Sequence, residues 1–185
     1  EFVNIESELL HVGLKTLVSK DSFEPSERTT SWCVHDHIVL NRFYKNINKE
    51  QQPFFATIFT LSSHEPYDVP MAPRFKGNDE TTLFKNAVAY TDSCVGDFIT
   101  KLKKDTLWKN TLVVLVADHG HLLPGHDPND RPSKFHIPIR VTGGALSLKR
   151  KHNHIGPQTD IAPPILHPLG LQENALKRGT DLSCS

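Results

Sequence analysis

No stretch of this 185-residue chain approaches the roughly 20 consecutive apolar residues that a bilayer-spanning helix needs, and no secretory-signal pattern stands at its start. Charge excess is missing too. The 21 basic side chains balance 21 acidic ones, which argues against a nucleic-acid partner or an anionic lipid surface. Cysteine is scarce: Cys33, Cys94 and Cys184 are far apart, odd in number and form no CxxC pair, which speaks against a cysteine zinc site and a disulfide framework. Internal repeats and low-complexity tracts are absent. The hydrophobic fraction of 37% is low for a compact enzyme but above the disordered range. What the chain does have is histidine. There are 11, and several gather around one polar loop.

The chain is long enough for one domain with a core, or for a large piece of a bigger one. Glu1-Phe2-Val3 reads as mid-pattern, as if native sequence upstream had been cut away. Ile5, Leu9, Val12 and Leu17 fall near helical spacing, with Gly13 as a stop. The polar stretch 20–30, with Pro25, predicts a loop, and Ile38, Val39, Phe43 and Ile47 predict an amphipathic helix over 35–48. Pro53 ends that helix. The run Phe54 to Leu61 is apolar and β-branched throughout, the pattern of a strand buried on both faces of a parallel sheet.

The clearest helix runs from about Asp79 to Lys104, with Asp79 as N-cap and lysines at its carboxyl end. Its stripe is Phe84, Ala87, Val88, Thr91, Val95, Phe98, Ile99 and Leu102. A second strand follows at Thr111 to Val116, a long loop at 118–134 and a shorter strand at Ile137 to Val141. Gly143-Gly144 turns the chain, and Thr159 to Leu171 can form a last helix. Strand, helix, strand predicts a right-handed parallel βαβ unit and an α/β fold class.

In a parallel sheet, ligands bind beyond the carboxyl ends of the strands. On that rule the loop Ser62-Ser63-His64-Glu65-Pro66-Tyr67 and the loop Asp118-His119-Gly120-His121 are expected on one rim. A carboxylate beside an imidazole suits a divalent ion of borderline softness, and Gly120 eases the bend that lets both side chains reach it. Taken alone, the dipeptide is more simply explained by an Asp that caps a turn and a His that bonds locally. His64 is either a donor to an anionic oxygen or a satisfied loop residue. His121, His126, Lys134 and His136 lie near the same rim and read singly as solvated surface; His152 and His154 read as an exposed turn. Trp32 is a core or lid residue, and Ser31 to Asp36 leads into a helix whose free N–H groups attract anions.

These pieces resemble a known family in order and spacing. Phe55 to Tyr67 is similar to the strand and S-x-H-x-P-Y/F segment of lipoteichoic acid synthase-like proteins. Ala87 to Asp92 resembles the helix reading A-x-x-Y-x-D, and Val114 to His121 the strand and D-H-G metal loop of the alkaline phosphatase and sulfatase superfamily. Lys134 to Ile139 with Gly143-Gly144, and Gln158 to Pro163, resemble the closing segments of a sulfatase domain, and Trp32 with Asp36 the W-G-x-x-D motif. The resemblance implies a partial sulfatase-like parallel sheet flanked by helices, with residues 1–185 as the C-terminal portion of the catalytic domain. It places a nucleophilic threonine, a further acidic ligand and a membrane anchor ahead of residue 1.

On the same basis His64 is catalytic, Trp32 and His126 bind substrate, and Asp118 and His119 hold one divalent ion, manganese or zinc ahead of calcium or magnesium. The implied enzyme is a phosphoglycerol transferase or sulfatase acting on phosphate or sulfate esters, lipid-linked ones included. Its parent would sit at the cytoplasmic membrane with the catalytic domain outside, and an open sheet edge could let the piece self-associate. Cys33 stands where the family has glycine, Pro164 where it has threonine and Val34 where some members have arginine, so no substrate is singled out. Two alternatives stand beside this reading: a hydrolytic sulfatase or phosphodiesterase of the same superfamily, and a non-catalytic α/β binding module with structural histidines. The C-x-P-x-R nucleophile motif of formylglycine sulfatases is absent from these residues.

Overall fold

Helical spacing of apolar residues is strongest between positions 79 and 102, and the computed structural model forms its longest helix there. The structure describes residues 5–30, 34–125, 128, 130–146 and 155–166. Trp32, His126, His152 and His154 therefore lie outside the described residues. The chain divides into two units, Glu1–Thr100 and Lys101–Ser185. Among the described residues no helix is long and apolar enough to cross a membrane.

The first unit carries α1 (Ile5–His11), α2 (Asp36–Ile47) and most of α3 (Glu80–Leu102). α1 ends where Gly13 takes a φ of +97°, a conformation that favours glycine. Asp79 caps α3: its carboxylate accepts the Thr82 N–H at 3.0 Å and the Thr82 hydroxyl at 2.6 Å. Ala87, Tyr90, Cys94 and Phe98 form the buried stripe of α3, spaced by three and four residues, and the Phe98 ring lies 5.8 Å from Phe43 on α2. The expected stripe was rotated slightly, since Val88 is exposed while Tyr90 and Cys94 are buried. Buried Asn86 pins the preceding loop, accepting the N–H groups of Arg74 and Phe75 and donating to the Phe75 carbonyl.

Phe54 to Leu61 is the main departure from expectation. It forms no strand, and Phe55 and Phe59 are 77% and 65% exposed. A β-strand exists only through ladder bonds to a neighbouring strand, and among the described residues this run pairs with none. Its side chains have the composition of a buried strand without the sheet that would bury them.

The second unit opens with a 3-10 turn, Thr106–Asn110, that leads into β1 (Val113–Val116). β1 pairs with β2 (Ile139–Thr142) in a two-stranded sheet whose register sets Val113 opposite Thr142 and Val116 opposite Ile139. The pairing is antiparallel, because the loop after β1 returns the chain directly alongside it. The expected parallel βαβ unit of 54–61 with 111–116 is not formed, since 54–61 makes no strand. β2 begins after Pro138, which lacks the N–H a ladder requires. Gly143 and Gly144 are required by close backbone contact. A Cβ on them would stand 2.0 Å from the Thr111 carbonyl oxygen and 2.3 Å from that of Trp108. A 3-10 turn at Gln158–Ile161 and α4 (Ala162–Leu166) close the unit; positions 167–171 of the expected last helix lie outside the described residues. Helices with a small sheet make the class α/β.

The difference between core and exposed apolar residues is measurable. Phe98→Ala should lower the unfolding free energy by about 3–5 kcal/mol. Phe55→Ala should change it by less than about 1 kcal/mol in the same denaturant titration.

Candidate functional site

The chemistry-bearing residues fall into two groups, one in each unit. In the first unit, the carboxylate of Asp36 is 1% exposed. One oxygen accepts the N–H groups of Leu61 and Ser62 at 2.8 and 3.1 Å, and the other accepts the Thr91 hydroxyl of α3 at 2.7 Å. The Asp36 N–H donates in turn to the Ser62 hydroxyl at 3.0 Å. A buried anion is costly unless its lone pairs are engaged, and here both oxygens are.

This clamp leads directly to His64. The His64 N–H donates to the Leu61 carbonyl and the Tyr67 N–H to the His64 carbonyl, both at 3.0 Å, so a tight turn presents an exposed imidazole. His64 Nδ1 lies 3.0 Å from the Glu65 carbonyl, which can only accept, so Nδ1 carries the proton. Tyr67 holds a φ of +63°, which is uncommon for a bulky side chain. Its buried ring, edge-on to Phe84 at 5.7 Å, keeps it there. Thr30, Ser62, His64 and Asp68 line a small pocket at this turn.

The first unit also holds a group that the sequence did not reveal. His35 is 7% exposed, and its Nδ1 has no hydrogen-bond partner. Its ring stacks 6.1 Å from His37, whose Nδ1 meets the Tyr90 hydroxyl at 2.5 Å. Burial pushes the His35 pKa down, with His37 adding to the effect and the carboxylates of Asp68 and Asp36 opposing it. The phenol of Tyr90 and the thiol of Cys94 are both pushed up, chiefly by burial, and so stay neutral.

In the second unit, β1 delivers Asp118 and His119 to solvent, with side chains 76% and 73% exposed. His119 Nδ1 lies 2.8 Å from the Gly120 carbonyl and so carries the proton of the neutral ring. The bare Nε2 then faces the Asp118 carboxylate, 3.6 Å from Oδ2. Two lone-pair donors converge across a gap that a cation would bridge, while the far ring nitrogen is fixed by a backbone carbonyl, as ligating histidines usually are. The pair therefore fits a divalent ion as two donors of a larger set. Among the described residues no group of three or more such side chains converges.

Two further residues shape this bend. A Cβ on Gly120 would stand 1.7 Å from the Lys134 carbonyl oxygen, so any other residue would displace one of the two loops. The Gln158 amide donates to the carbonyls of Ala117 and Asp118 at 3.0 and 2.8 Å, holding the turn from the other side. Gln158 stands in a quoted motif, but no spacing rule assigned it this role. His121 accepts the Leu123 N–H at Nδ1, a local bond that suits its reading as a loop residue. Lys134 contributes its backbone and His136 is exposed.

Known proteins are similar to this chain over most of its length. A family model described as Sulfatase matches residues 10–171. A lipoteichoic acid synthase-like protein of Bacillus subtilis (YvgJ) is 24% identical over 192 residues, covering 92% of this chain and 31% of that protein. The lipoteichoic acid synthase of Staphylococcus saprophyticus is 27% identical over 200 residues, covering 98% of this chain and 31% of that protein. Among solved structures, a protein in the alkaline phosphatase superfamily from Vibrio parahaemolyticus matches with a TM-score of 0.79 at 28% identity, over 94% of this chain and 43% of that one. The chain thus spans 31% of the length of these curated relatives.

The buried imidazole has a consequence for stability. Its folded pKa lies below the unfolded value of 6.5, so the unfolded chain binds more protons at mildly acid pH. The contribution of neutral His35 is fully present above that value and is lost as pH falls below it. Denaturant titrations from about pH 7 to about pH 5 should show falling stability, with a shallower slope in His35→Leu.

Proposed function

The chain belongs to the sulfatase family, and from that premise we propose that residues 1–185 are the C-terminal part of a metal-dependent phosphoglycerol transferase. The observation that carries the proposal is the Asp118–His119 pair, a carboxylate oxygen and a bare imidazole nitrogen 3.6 Å apart at the exposed end of β1. The curated relatives named above are a lipoteichoic acid synthase and a lipoteichoic acid synthase-like protein, which favours transfer of a phosphate-ester group over sulfate hydrolysis. In this reading the parent sits at the cytoplasmic membrane with its catalytic domain outside, and the substrate is a phosphate ester that can be lipid-linked.

Asp118 and His119 would hold the divalent ion, manganese or zinc. When bound, the ion would act as a Lewis acid that stabilises charge on a transferring phosphoryl oxygen. The protein's own part is to keep the pair ready. Gln158 and the Lys134 carbonyl fix the bend, and the Gly120 carbonyl fixes the ring tautomer, so little reorganisation accompanies binding.

His64 is assigned to the leaving oxygen. With Nδ1 donating to the Glu65 carbonyl, Nε2 carries a hydrogen only in the imidazolium form, and that form can donate to an anionic oxygen. The unprotonated ring is restored once the proton is given up. Trp32 and His126 are proposed as substrate-binding residues. The nucleophile and the remaining ligands are proposed to lie outside residues 1–185, and the run 54–61, which pairs with no strand among the described residues, would let the isolated piece self-associate.

In a longer polypeptide carrying the whole sulfatase domain, His64→Ala should lower phosphoglycerol transfer by about 10²-fold or more. Metal content by elemental analysis should be retained. Asp118→Ala should lose both. Residues 1–185 alone should not hydrolyse a chromogenic phosphodiester. Turnover unaffected by His64→Ala removes that residue from the reaction, and robust activity of the 185-residue chain ends the proposal that the nucleophile lies elsewhere.

A further inference from the structure

We infer that Asp36 is a positioning residue for His64, and that it sets the imidazole through the backbone of Leu61 and Ser62. The inference rests on the reading of His64 as a reacting group, but its geometry stands independently of it. Asp36 is the first residue of α2, where an acidic side chain ordinarily serves the free N–H groups of its own helix. Here it does not. Both carboxylate oxygens are turned to other elements, one to the Leu61 and Ser62 N–H groups and one to Thr91 on α3. The N-cap position itself, His35, makes no side-chain capping bond. The helix thus gives up a stabilising contact at its end while the carboxylate grips a segment 25 residues away.

That segment carries the turn that aims His64. Leu61 and Ser62 are held by their N–H groups, and Ser62 is held a second time through its hydroxyl, which accepts the Asp36 N–H. The Leu61 carbonyl accepts the His64 N–H, and the His64 carbonyl accepts that of Tyr67. Any tilt of the clamp therefore moves the turn as a unit. Bonds to an ionised acceptor are shorter and stronger than neutral ones, which explains why a carboxylate rather than an amide is used at so buried a place. Thr91 links the clamp to α3, the longest helix of the chain, so the imidazole is referenced to a rigid element.

The test uses amide exchange and histidine NMR on the 185-residue chain. Asp36→Asn keeps the shape and one acceptor oxygen. Exchange at Leu61 and Ser62 should rise about tenfold, and the His64 ring signals should shift and broaden. The amides of Ala87 to Phe98 should remain as protected as in the parent. Thr91→Val, which removes one distant donor, should raise exchange at the same two amides by a few-fold and provides the test if Asp36→Asn does not fold. Exchange at Leu61 and Ser62 unchanged in both variants overturns the inference. So does exchange that rises equally throughout α3, because Asp36 would then hold the fold and not the turn. Phosphoglycerol transfer by the longer polypeptide carrying the whole sulfatase domain separates this from the functional proposal. If His64→Ala leaves that turnover unchanged while the clamp variants behave as described, positioning stands and the phosphate-ester role of His64 falls.

Discussion

The first unit depends on burying an anion. A carboxylate moved from water into a protein interior loses several kcal/mol of solvation unless hydrogen bonds replace it. Asp36 therefore dictates where its donors must be. Leu61, Ser62 and Thr91 come from a loop and a helix that share no local sequence with α2, yet all three converge on one side chain. Apolar contacts such as Phe43 with Phe98 bring the two helices together without specifying their rotation to better than a side chain. The directional bonds to Asp36 supply that specification, and the turn bearing His64 inherits it.

The second unit solves a related problem with backbone. Asp118 and His119 are exposed, so little packing can hold them, and adjacent residues in an extended chain point apart. The bend is imposed from outside instead. The Lys134 carbonyl occupies the space where a side chain at 120 would sit, and the Gln158 amide spans two successive carbonyls. These contacts come from a backbone carbonyl and one side-chain amide, so the arrangement of the pair is set by its neighbours along two other segments. The position of the proton on His119 follows from the same local geometry.

Histidine richness resolves into several physical roles. His119 and His64 are exposed, with Nδ1 tied to the next residue's carbonyl. His121 closes its own loop, and His35 and His37 pack with Tyr90 of α3. The first pattern leaves Nε2 in solvent without a hydrogen on the neutral ring, and both of its members are among the histidines assigned to chemistry from motif resemblance. Composition alone could not sort them, because the distinction is one of burial and partner.

By itself the sequence determined whatever is local or patterned. Helical period located α2 and α3, Asp79 and Gly13 marked helix ends, and the order of the motifs identified the sulfatase family before any coordinates. It also picked out Asp118, His119 and His64, since residue type at a strand end or turn is legible from the chain. Partnership was not legible. Phe54 to Phe59 has the side chains of a buried strand, but ladder bonds come from a neighbour that lies elsewhere in sequence, and among the described residues none is present. The antiparallel pairing of β1 with β2, the clamp at Asp36, the span of Gln158 and the orphaned nitrogen of His35 are likewise decided by tertiary structure. Each depends on which groups meet across tens of residues, and no periodicity along a chain encodes the direction of a hydrogen bond between segments so far apart.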